Sequence, residues 1–599
     1  MKKSIVLSVL CVFALLLIDC TRERKVGSPQ QVKRLYQQAL SDLKSITDTF
    51  LLFAENKSNI DTIRSLFKRA RLQYKATELL TEYYYPATSK AINGAPVPEA
   101  EADNPGYPTE PSGFQVIEEI IYGEEIIKDY EGLILQAKLL QSAVVRLLST
   151  SETLELTDAH IWDAVRLQCF RMMTLGISGY DSPLANLSLQ EASASIKSML
   201  LYLQPYIDVQ NSDHPPALVK AMKTGNDYLN KNNDFIAFNR AEFITRFMRP
   251  ILTSLNQMQD QLGIPYFTEP RPLSAKATSL FDSGAWNPWY YSANYAKPEN
   301  HVALENLGKA LFYEPLLSGN NIRTCASCHQ PDKGFTDGLP KNKSFDGSRI
   351  IMRNTPSILF AALQPAQFAD TRVMFLEDQA KQVIENPEEM HGDLTSAIKK
   401  IKRLQKYDSL FAKAFETKTI SQLHLQTALA AYIRTKSVMN SRFDEYMQGN
   451  DQAITTKEIK GFNLFMGKAK CGTCHFMPLF NGTVPPNFTK METEVLGVPE
   501  NYRQPFKLDK DAGKYAVIPS LPYLNAFKTS TVRNAAITAP YMHNGAIQTL
   551  EELIDFYDKG GGAGLGIAVA NQTLAPDQLH LSADEKSALI AFLKTLTNR

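Results

Sequence analysis

The chain has 599 residues, with 64 Lys and Arg against 63 Asp and Glu, and a formal net charge of +1. This balance excludes the broad basic surface of a nucleic-acid-binding protein, so we expect no nucleic-acid partner. Hydrophobic residues make up 44% and charged residues 21% of the chain, as in ordinary globular domains. A chain of this length can hold three or four domains, each with its own core.

The N-terminus predicts export. Lys2 and Lys3 precede an apolar run over residues 5–18, which at about 14 residues is short for a stable membrane span. The run ends just before Cys20, a pattern that resembles a lipoprotein signal with a lipidated cysteine. We expect residues 1–19 to be a signal peptide and the protein to be periplasmic and lipid-anchored to a membrane. Simple cleavage and retention as an anchor are the alternatives, and both also place the body outside the cytoplasm.

Residues 20–264 predict a helical domain, because apolar residues recur mostly every three or four positions. A proline-rich loop at residues 91–112 interrupts this pattern. Residues 265–299 predict a linker. It carries Trp286 and Trp289, so we expect it to pack against its neighbours, since exposed tryptophans are costly.

Two segments, 300–450 and 451–599, each contain one Cys-x-x-Cys-His pentad, the attachment motif of c-type haem. The two cysteines form thioethers to the porphyrin and the histidine binds the iron. A zinc site would need four clustered ligands, and a redox Cys-x-x-Cys needs no histidine after it. The spacing therefore predicts two covalently bound haem c groups. Their attachment residues are Cys325, Cys328 and His329, then Cys471, Cys474 and His475.

The two segments share a pattern. Each has a Leu-Phe pair at the end of a helical run shortly before its pentad, which indicates one haem-binding unit used twice. Capping boxes at Thr455, Thr549 and Ser582 predict three helix starts in the last segment. Strand patterns are rare. The predicted fold class is mostly α, with an N-terminal helical bundle followed by two cytochrome c-like haem domains.

Five collinear motifs between residues 300 and 599 are similar to those of the bacterial dihaem cytochrome c peroxidase and MauG family. They are Leu-Ser-Gly-Asn at 317–320, Arg-Asn-Thr-Pro at 353–356, residues 379–390, Val-Arg-Asn at 532–534 and Thr-Ala-Pro-Tyr-Met-His-Asn-Gly at 538–545.

This resemblance implies a peroxidatic haem domain at 300–450 and an electron-transfer haem domain at 451–599. The implied function is reduction of hydrogen peroxide to water, with electrons from a small redox protein or a quinol, and homodimers are common in the family. Two alternatives are a MauG-like oxidase that modifies a partner protein and a non-catalytic electron-transfer cytochrome.

The resemblance also assigns site residues. Glu389 matches the acidic residue over the open face of the first haem, where a carboxylate moves protons during O–O cleavage, and Gln379 matches a pocket residue that orients peroxide. Asn354, Thr538 and Pro540 match a calcium site between the haems, built from one side-chain oxygen and two carbonyls. Without the resemblance, the simplest interpretation is that Glu389 is a solvent-exposed acidic residue of a loop and that Asn354 caps a turn.

Three departures from the family pattern alter the expected chemistry. Asp346 stands where many members carry a second histidine ligand, so we expect the first haem to be open to peroxide in the ferric state. Tyr557 stands at the register of the usual methionine ligand of the second haem. A phenolate there would favour high oxidation states, although Met542 is a competing ligand and an inward tyrosine is often a core residue. Phe368 and Ala369 replace the family's Phe-Trp, which removes the usual relay between the haems.

Residues 91–96 and 113–118 resemble the imelysin-like helical family, which carries Gly-x-His-x-x-Glu as a candidate metal site. Gln115 replaces the histidine, which removes the best transition-metal ligand. Glu118 and Glu119 could still contribute to a site. A structural or partner-binding bundle is the alternative that we favour for this half.

Overall fold

The computed structural model describes residues 28–599 except 124–128, 210–215, 283, 294, 296 and 418. The predicted signal peptide and Cys20 therefore lie outside the described residues. The prediction of a mostly α fold is confirmed. The α-helices of the first half are Pro29–Glu55, Ile60–Tyr84, Pro86–Asn93, Phe114–Tyr122, Tyr130–Ser151, Asp158–Arg171, Ser188–Val209, Ala217–Lys231, Arg240–Glu242 and Arg249–Leu262, with π-helical turns at Met172–Gly176 and Phe243–Met248.

The first helix shows why these segments fold as a bundle. Ser28 caps it by accepting a hydrogen bond from the Gln31 N–H at 3.3 Å. Its apolar residues recur at helical spacing and form one buried face, which includes Leu40 and Leu43. That face packs against Tyr130–Ser151, a helix long and apolar enough to cross a membrane by length and composition alone. The buried residues of Tyr130–Ser151 make it a helix of the bundle.

Residues 263–300 connect the helical half to the haem segments, and those of them that the structure describes form no regular helix. Trp286 and Trp289 are both buried in this stretch. The Trp286 indole N–H donates to the Leu280 carbonyl at 2.8 Å, and its ring meets Phe488 edge-on at 4.8 Å between centroids. The connection is therefore packed against the second haem segment.

The first haem segment is helical apart from its loops. Its α-helices are His301–Phe312, Cys325–Cys328, Leu376–Glu385, Leu394–Ile401, Gln405–Phe415, Gln422–Arg434 and Arg442–Met447, with 3-10 turns at Pro315–Leu317, Pro331–Lys333 and Ala361–Leu363.

The second haem segment has fewer α-helices and more 3-10 turns than the first haem segment. Its α-helices are Thr456–Phe465, Leu550–Asp558, Gly561–Gly564 and Ala583–Thr595, with 3-10 turns at Cys471–Thr473, Lys514–Ala516, Leu521–Tyr523 and Ala535–Ile537. Two short antiparallel strands, Thr493–Glu494 and Phe527–Lys528, pair Thr493 with Lys528 and Glu494 with Phe527. The three predicted capping boxes are confirmed at Thr455, Thr549 and Ser582.

Both haem segments are built around one helix crossing that requires a glycine. A Cβ at Gly308 would lie 1.8 Å from the Ala428 carbonyl oxygen, and a Cβ at Gly461 would lie 2.0 Å from that of Ala588. In each case the helix that precedes the pentad crosses a later helix at a distance that no side chain permits. The predicted repetition of one unit therefore extends to its backbone packing.

The two segments differ in where their cores lie. The core of the helical half continues into the second haem segment, where Phe462 and Phe592 belong to it. The first haem segment has a separate core, which includes Leu307 and Leu429. The helical half is thus joined to the second haem segment by apolar packing.

Candidate haem sites and active site

The first pentad forms a single helical turn at Cys325–Cys328. Thr324 and Ser327 cap this turn reciprocally, which presents both cysteines on one short element. The His329 Nδ1 lies 3.0 Å from the Phe335 carbonyl oxygen. A hydrogen bond at Nδ1 fixes the ring and leaves Nε2 available to a metal. Burial lowers the pKa of His329, so the imidazole is neutral, as an iron ligand must be.

The second pentad lies on the 3-10 turn Cys471–Thr473. The His475 Nδ1 lies 3.0 Å from the Ser530 carbonyl oxygen, so this ring is also held through Nδ1. Burial lowers the pKa of His475 to about 4. A Cβ at Gly472 would lie 2.6 Å from the Met466 sulfur, so the turn packs against the end of the preceding helix only because position 472 is glycine.

These residues fit haem c. None of the four pentad cysteines forms a disulfide with a described residue, and both histidines have Nδ1 engaged by a carbonyl and Nε2 without a protein partner among the described contacts. Two thiols and one imidazole on a short turn are the donor set that covalent haem attachment uses.

Glu389 lies next to the first pentad, in the loop after the helix Leu376–Glu385. Its backbone carbonyl accepts a hydrogen bond from the Arg323 guanidinium at 2.7 Å, which ties this loop to the residue two positions before Cys325. Burial raises the pKa of the Glu389 carboxyl, while the charges of Arg372 and Arg323 lower it. The carboxyl group is also near Cys328. The structure therefore brings the predicted acid and the predicted haem attachment residue together.

Gln379 lies on the same helix and is half-buried. Its backbone N–H donates to the Phe375 carbonyl at 3.1 Å as part of the first turn. The helix and the Glu389 loop are joined by the Gly392 N–H, which donates to the Ile384 carbonyl at 2.7 Å. Gln379 and Glu389 thus belong to one compact helix and loop.

Arg372 is a site residue for which sequence reasoning assigned no role. Its guanidinium lies 3.4 Å from the Phe368 ring centroid and donates to both Asp370 carboxylate oxygens, at 2.9 and 2.8 Å. These contacts hold its positive charge near Glu389. The sequence of residues 368–372 could have indicated this role, because an arginine two positions after an aspartate can form an ion pair with it in a tight turn.

Ala369 stands at the position of the family's tryptophan. Its carbonyl accepts a hydrogen bond from the Lys528 N–H at 2.7 Å, so this run pairs directly with a strand of the second haem segment. Arg353 strengthens the same seam by donating to Asp370 at 2.6 Å and to Asp511 at 2.6 and 3.0 Å. The two haem segments are thus joined here by ion pairs and main-chain hydrogen bonds.

The three predicted calcium residues also lie along this seam. The Asn354 N–H donates to the His543 carbonyl at 2.7 Å, and its side-chain amide donates to the Leu339 carbonyl at 2.7 Å. A Cβ at Gly334 would lie 2.9 Å from the Thr538 methyl, and Pro540 is buried.

Clusters of three or more His, Cys, Asp or Glu side chains arranged for a metal are absent from the part of the chain that the structure describes. The predicted calcium site would instead use carbonyl and amide oxygens, so the absence of such clusters does not test it. The calcium assignment stays a prediction.

Tyr557 and Met542 occupy different surroundings. Tyr557 lies on the helix Leu550–Asp558, and its phenol has Cys471, Cys474 and Glu494 as neighbours, which together with burial raise its pKa well above the ordinary value. Met542 lies in a tight turn with a backbone φ of 71°, where its carbonyl accepts from the Gly545 N–H at 3.2 Å. Of the two candidate ligands of the second haem, Tyr557 is the one whose phenol lies near the cysteines of the second pentad.

His543 follows Met542 and is held by two contacts. Its ring stacks on Phe527 at 3.6 Å between centroids, and its Nε2 lies 3.2 Å from Asp509. Asp509 also accepts a hydrogen bond from the Asn544 amide at 2.9 Å. This motif is therefore a rigid part of the seam.

Asp346, at the position of the missing second histidine, accepts hydrogen bonds from Ser344 and Ser348 in its own turn. In the helical half, Gln115 donates to the Asn93 carbonyl at 3.0 Å. Glu118 accepts from the Leu184 and Ala185 N–H groups at 2.8 and 2.7 Å. Glu118 thus tethers a loop in the structure, and the imelysin-like resemblance stays a prediction.

The comparisons with known proteins match the haem half of the chain. A sequence model of the di-haem cytochrome c peroxidase family matches residues 302–452. The methylamine utilization protein MauG of Methylophilus methylotrophus is 34% identical over 307 residues, which cover 50% of this chain and 84% of that protein. The chain belongs to the dihaem cytochrome c peroxidase family.

Two further relatives agree with this assignment. The cytochrome-c peroxidase IdrP2 of Denitromonas iodatirespirans is 30% identical over 317 residues, which cover 50% of this chain and 83% of the relative. The cytochrome c551 peroxidase of Nitrosomonas europaea is 32% identical over 302 residues, which cover 50% and 81%. As a member of this family, the protein is an oxidoreductase with two haem c groups. Each of these relatives matches about half of this chain.

Proposed function

We propose that this dihaem peroxidase reduces hydrogen peroxide to water at the haem held by Cys325, Cys328 and His329. The observation that carries the proposal is the placement of Glu389 beside Cys328, with its loop tied to Arg323. A half-buried carboxyl whose pKa is raised by desolvation suits a group that must both accept and return a proton. The family membership of the chain supports the same reaction.

Cys325, Cys328 and His329 would hold the first haem, which would supply the electrons that reduce peroxide. Glu389 accepts a proton from one peroxide oxygen and delivers it to the other oxygen, which leaves as water. Arg372 holds a positive charge near this carboxyl, which stabilises the carboxylate form and the negative charge that develops on the leaving oxygen. Gln379 orients peroxide through its amide.

Cys471, Cys474 and His475 would hold the second haem, which would supply electron transfer from an external donor, a small redox protein or a quinol. Tyr557 is its proposed second ligand, supported by the position of the phenol beside Cys471 and Cys474. Met542 is the competing ligand. A calcium ion held by Asn354, Thr538 and Pro540 would fix the seam between the haem segments.

The place of the protein in the cell follows from its N-terminus. Residues 1–19 act as a signal peptide, and Cys20 carries a lipid that holds the protein to a membrane facing the periplasm. Covalent attachment of haem c takes place outside the cytoplasm, which supports this location. A homodimer is proposed from the resemblance to the family.

The test is addition of stoichiometric hydrogen peroxide to the fully oxidised holoprotein, with absorbance and EPR followed for both haems. Prompt loss of the ferric signals is expected, because Asp346 replaces the second histidine. A response only after one electron has been added would contradict the open first haem. If neither the fully oxidised nor the half-reduced protein responds to peroxide, the protein is an electron-transfer cytochrome and not a peroxidase.

Glu389→Gln tests the proton carrier, and Glu388→Gln is its matched control. Glu388 is the neighbouring carboxylate, but it pairs with Arg349 at 3.1 Å. We expect Glu389→Gln to lower peroxide turnover by about 100-fold or more, the usual size of a general acid–base effect, with haem content unchanged. Glu388→Gln should keep wild-type turnover. Equal turnover in both variants would remove Glu389 from the mechanism.

A further inference from the structure

Lys528 spans the seam between the two haem segments. It belongs to the strand Phe527–Lys528 of the second segment, and its backbone N–H donates to the Ala369 carbonyl of the first at 2.7 Å. Its ammonium also reaches the first segment, where it donates to the Gln364 side-chain oxygen at 2.7 Å and to the Ala366 carbonyl at 3.3 Å. The first haem segment therefore holds both the backbone and the charged end of this residue.

The ammonium of Lys528 has no anionic partner among the residues that the structure describes. An ammonium carries three N–H donors, and both of its acceptors here are neutral oxygens. The charge of Asp370 acts on it, but that carboxylate is paired with Arg353 at 2.6 Å and with Arg372 at 2.8 Å. Desolvation lowers the pKa of Lys528 to about 8, so the charged form still predominates at neutral pH. A desolvated charge without a counter-charge is costly, so this place favours an anion.

The chain around Lys528 also holds the histidine of the second pentad. Ser530 follows two residues later, and its carbonyl oxygen lies 3.0 Å from the His475 Nδ1. Two residues of chain span at most about 7 Å, so Lys528 and this contact are close together. The strand that pairs with Lys528 contains Glu494, which is a neighbour of Cys474. Lys528 therefore lies beside the second haem site.

The haem itself supplies an anion of the required kind. A haem c carries propionate carboxylates on one edge of its porphyrin, and a member of this family holds one haem at each pentad. Charge-assisted hydrogen bonds between an ammonium and a carboxylate are roughly twice as strong as hydrogen bonds between neutral groups. A propionate would therefore give the Lys528 ammonium the third partner that the described residues do not provide.

We propose that the Lys528 ammonium binds a propionate of the haem held at His475. The lysine then joins this propionate to Gln364 and Ala366, so the second haem is fixed against the first haem segment. The contact is an ion pair, in which no covalent bond forms or breaks. It requires the two haem c groups of the family but not the reduction of peroxide, so it is independent of the proposed function.

The ion pair changes how readily the second haem is reduced. A free propionate is a negative charge beside the iron, which stabilises the ferric form and lowers the midpoint potential. The Lys528 ammonium offsets that charge and so raises the potential. The phenolate of Tyr557, the proposed second ligand, acts in the opposite direction. Lys528 therefore keeps the His475 haem within reach of an external electron donor.

The experiment uses full-length holoprotein as wild type, Lys528→Gln, Lys528→Arg and Lys514→Gln. Lys514 is the matched control, because it is also half-buried and donates to Thr493 of the same strand pair at 3.5 Å. Its charge has Glu99 and Glu101 of the helical half as neighbours. Spectroelectrochemical titration measures the midpoint potential of each haem, and resonance Raman spectra record the bending modes of the haem propionates.

We expect Lys528→Gln to lower the equilibrium constant for reduction of the His475 haem about tenfold, equivalent to about 59 mV for one electron. A propionate mode of that haem should shift with it. Lys528→Arg should remain near wild type, because a guanidinium keeps the charge and binds carboxylates. Lys514→Gln should change neither readout. An unchanged potential in Lys528→Gln, an equal fall in Lys514→Gln, or a change confined to the His329 haem would each overturn the proposal.

A crystal structure of the wild-type holoprotein gives a second test that depends on no variant. We expect a propionate oxygen of the His475 haem within about 4 Å of the Lys528 Nζ, the limit for an ion pair. If Lys528→Gln loses haem or helix content, this distance decides, and a larger separation from every such oxygen would overturn the proposal. A protein that does not react with peroxide still yields both potentials and this distance, so failure of the proposed function is distinguishable.

Discussion

The two haem segments share one frame and differ in what surrounds it. In both, a glycine lets the helix before the pentad cross a later helix, and a carbonyl oxygen holds the histidine through Nδ1. The first pentad faces a carboxyl group and two arginines, Glu389, Arg323 and Arg372. The second faces Tyr557 and the helical half. The shared helix crossing and histidine contact thus determine haem attachment. The residues around each pentad differ, and they assign proton chemistry to the first haem and electron transfer to the second.

The segments also differ in how their key arginines are paired. Arg533 is fully buried and donates to both oxygens of Asp444 at 3.0 and 2.7 Å. Arg353 is a quarter exposed and has two carboxylates, Asp370 and Asp511. Loss of one acid therefore leaves a buried unpaired charge in the first case and a still paired arginine in the second.

The largest effect is expected from Asp444→Ala. It should lower the free energy of unfolding by about 3–5 kcal/mol, the usual result of breaking a buried ion pair. Asp511→Ala should cost about 1–2 kcal/mol, because Arg353 keeps Asp370. Chemical denaturation of the holoprotein, followed by circular dichroism and Soret absorbance, measures both. Equal losses of unfolding free energy in the two variants would show that burial does not make the Arg533–Asp444 pair more important for stability than the Arg353–Asp511 pair.

The ion pair also predicts a pH dependence. Arg533 lowers the pKa of Asp444 in the folded state. Its contribution to stability is therefore present above the unfolded pKa of about 3.9 and is lost as the pH falls through the lower folded pKa. Asp444→Asn should remove this part of the acid sensitivity.

The shared helix crossing is tested by Gly308→Ala and Gly461→Ala. Each added Cβ would lie within about 2 Å of a carbonyl oxygen, so each variant should lose about 1–3 kcal/mol through overpacking. Similar losses are expected because the crossing is the same in both segments. Gly106→Ala is the control, since a Cβ there meets nothing within 4 Å. Loss in one variant alone would mean that the two units are not packed alike.

Tyr557→Met sharpens the contrast between the haems. Replacing a phenolate by a thioether should raise the midpoint potential of the His475 haem by on the order of 0.1 V, because anionic ligands stabilise ferric iron. The His329 haem should keep its potential. Spectroelectrochemical titration measures both. An unchanged potential of the His475 haem would favour Met542 as the native ligand.

Arg372→Met gives the smallest expected effect. The pKa of Glu389 is raised by burial and lowered again by Arg372, and the carboxylate form is the one that accepts the proton. Turnover should fall as the pH drops through this pKa, and the variant should move that fall upward by about one pH unit. The pH profile of turnover is the measurement. An unmoved profile would exclude Arg372 from the electrostatics of the site.

The sequence predicted the features that depend on neighbouring residues. The pentads, the capping boxes at Thr455, Thr549 and Ser582, and the helical periodicity are each contained in a short stretch, because thioether attachment and helix capping are local chemistry. The position of Tyr557 follows from a count along one helix, and its role as a haem ligand stays a prediction. The family motifs added Glu389 from a contiguous run.

The tertiary structure alone brought Arg372 and Arg323 to Glu389 and Lys528 to Gln364. These groups are far apart in sequence, and nothing in the local pattern of Lys528 distinguishes it from a solvated lysine. Its position depends on the strand pair of the second haem segment and on the Ala369 carbonyl of the first. Electrostatic and aromatic contacts act through space, so only the folded chain determines which charges and rings meet.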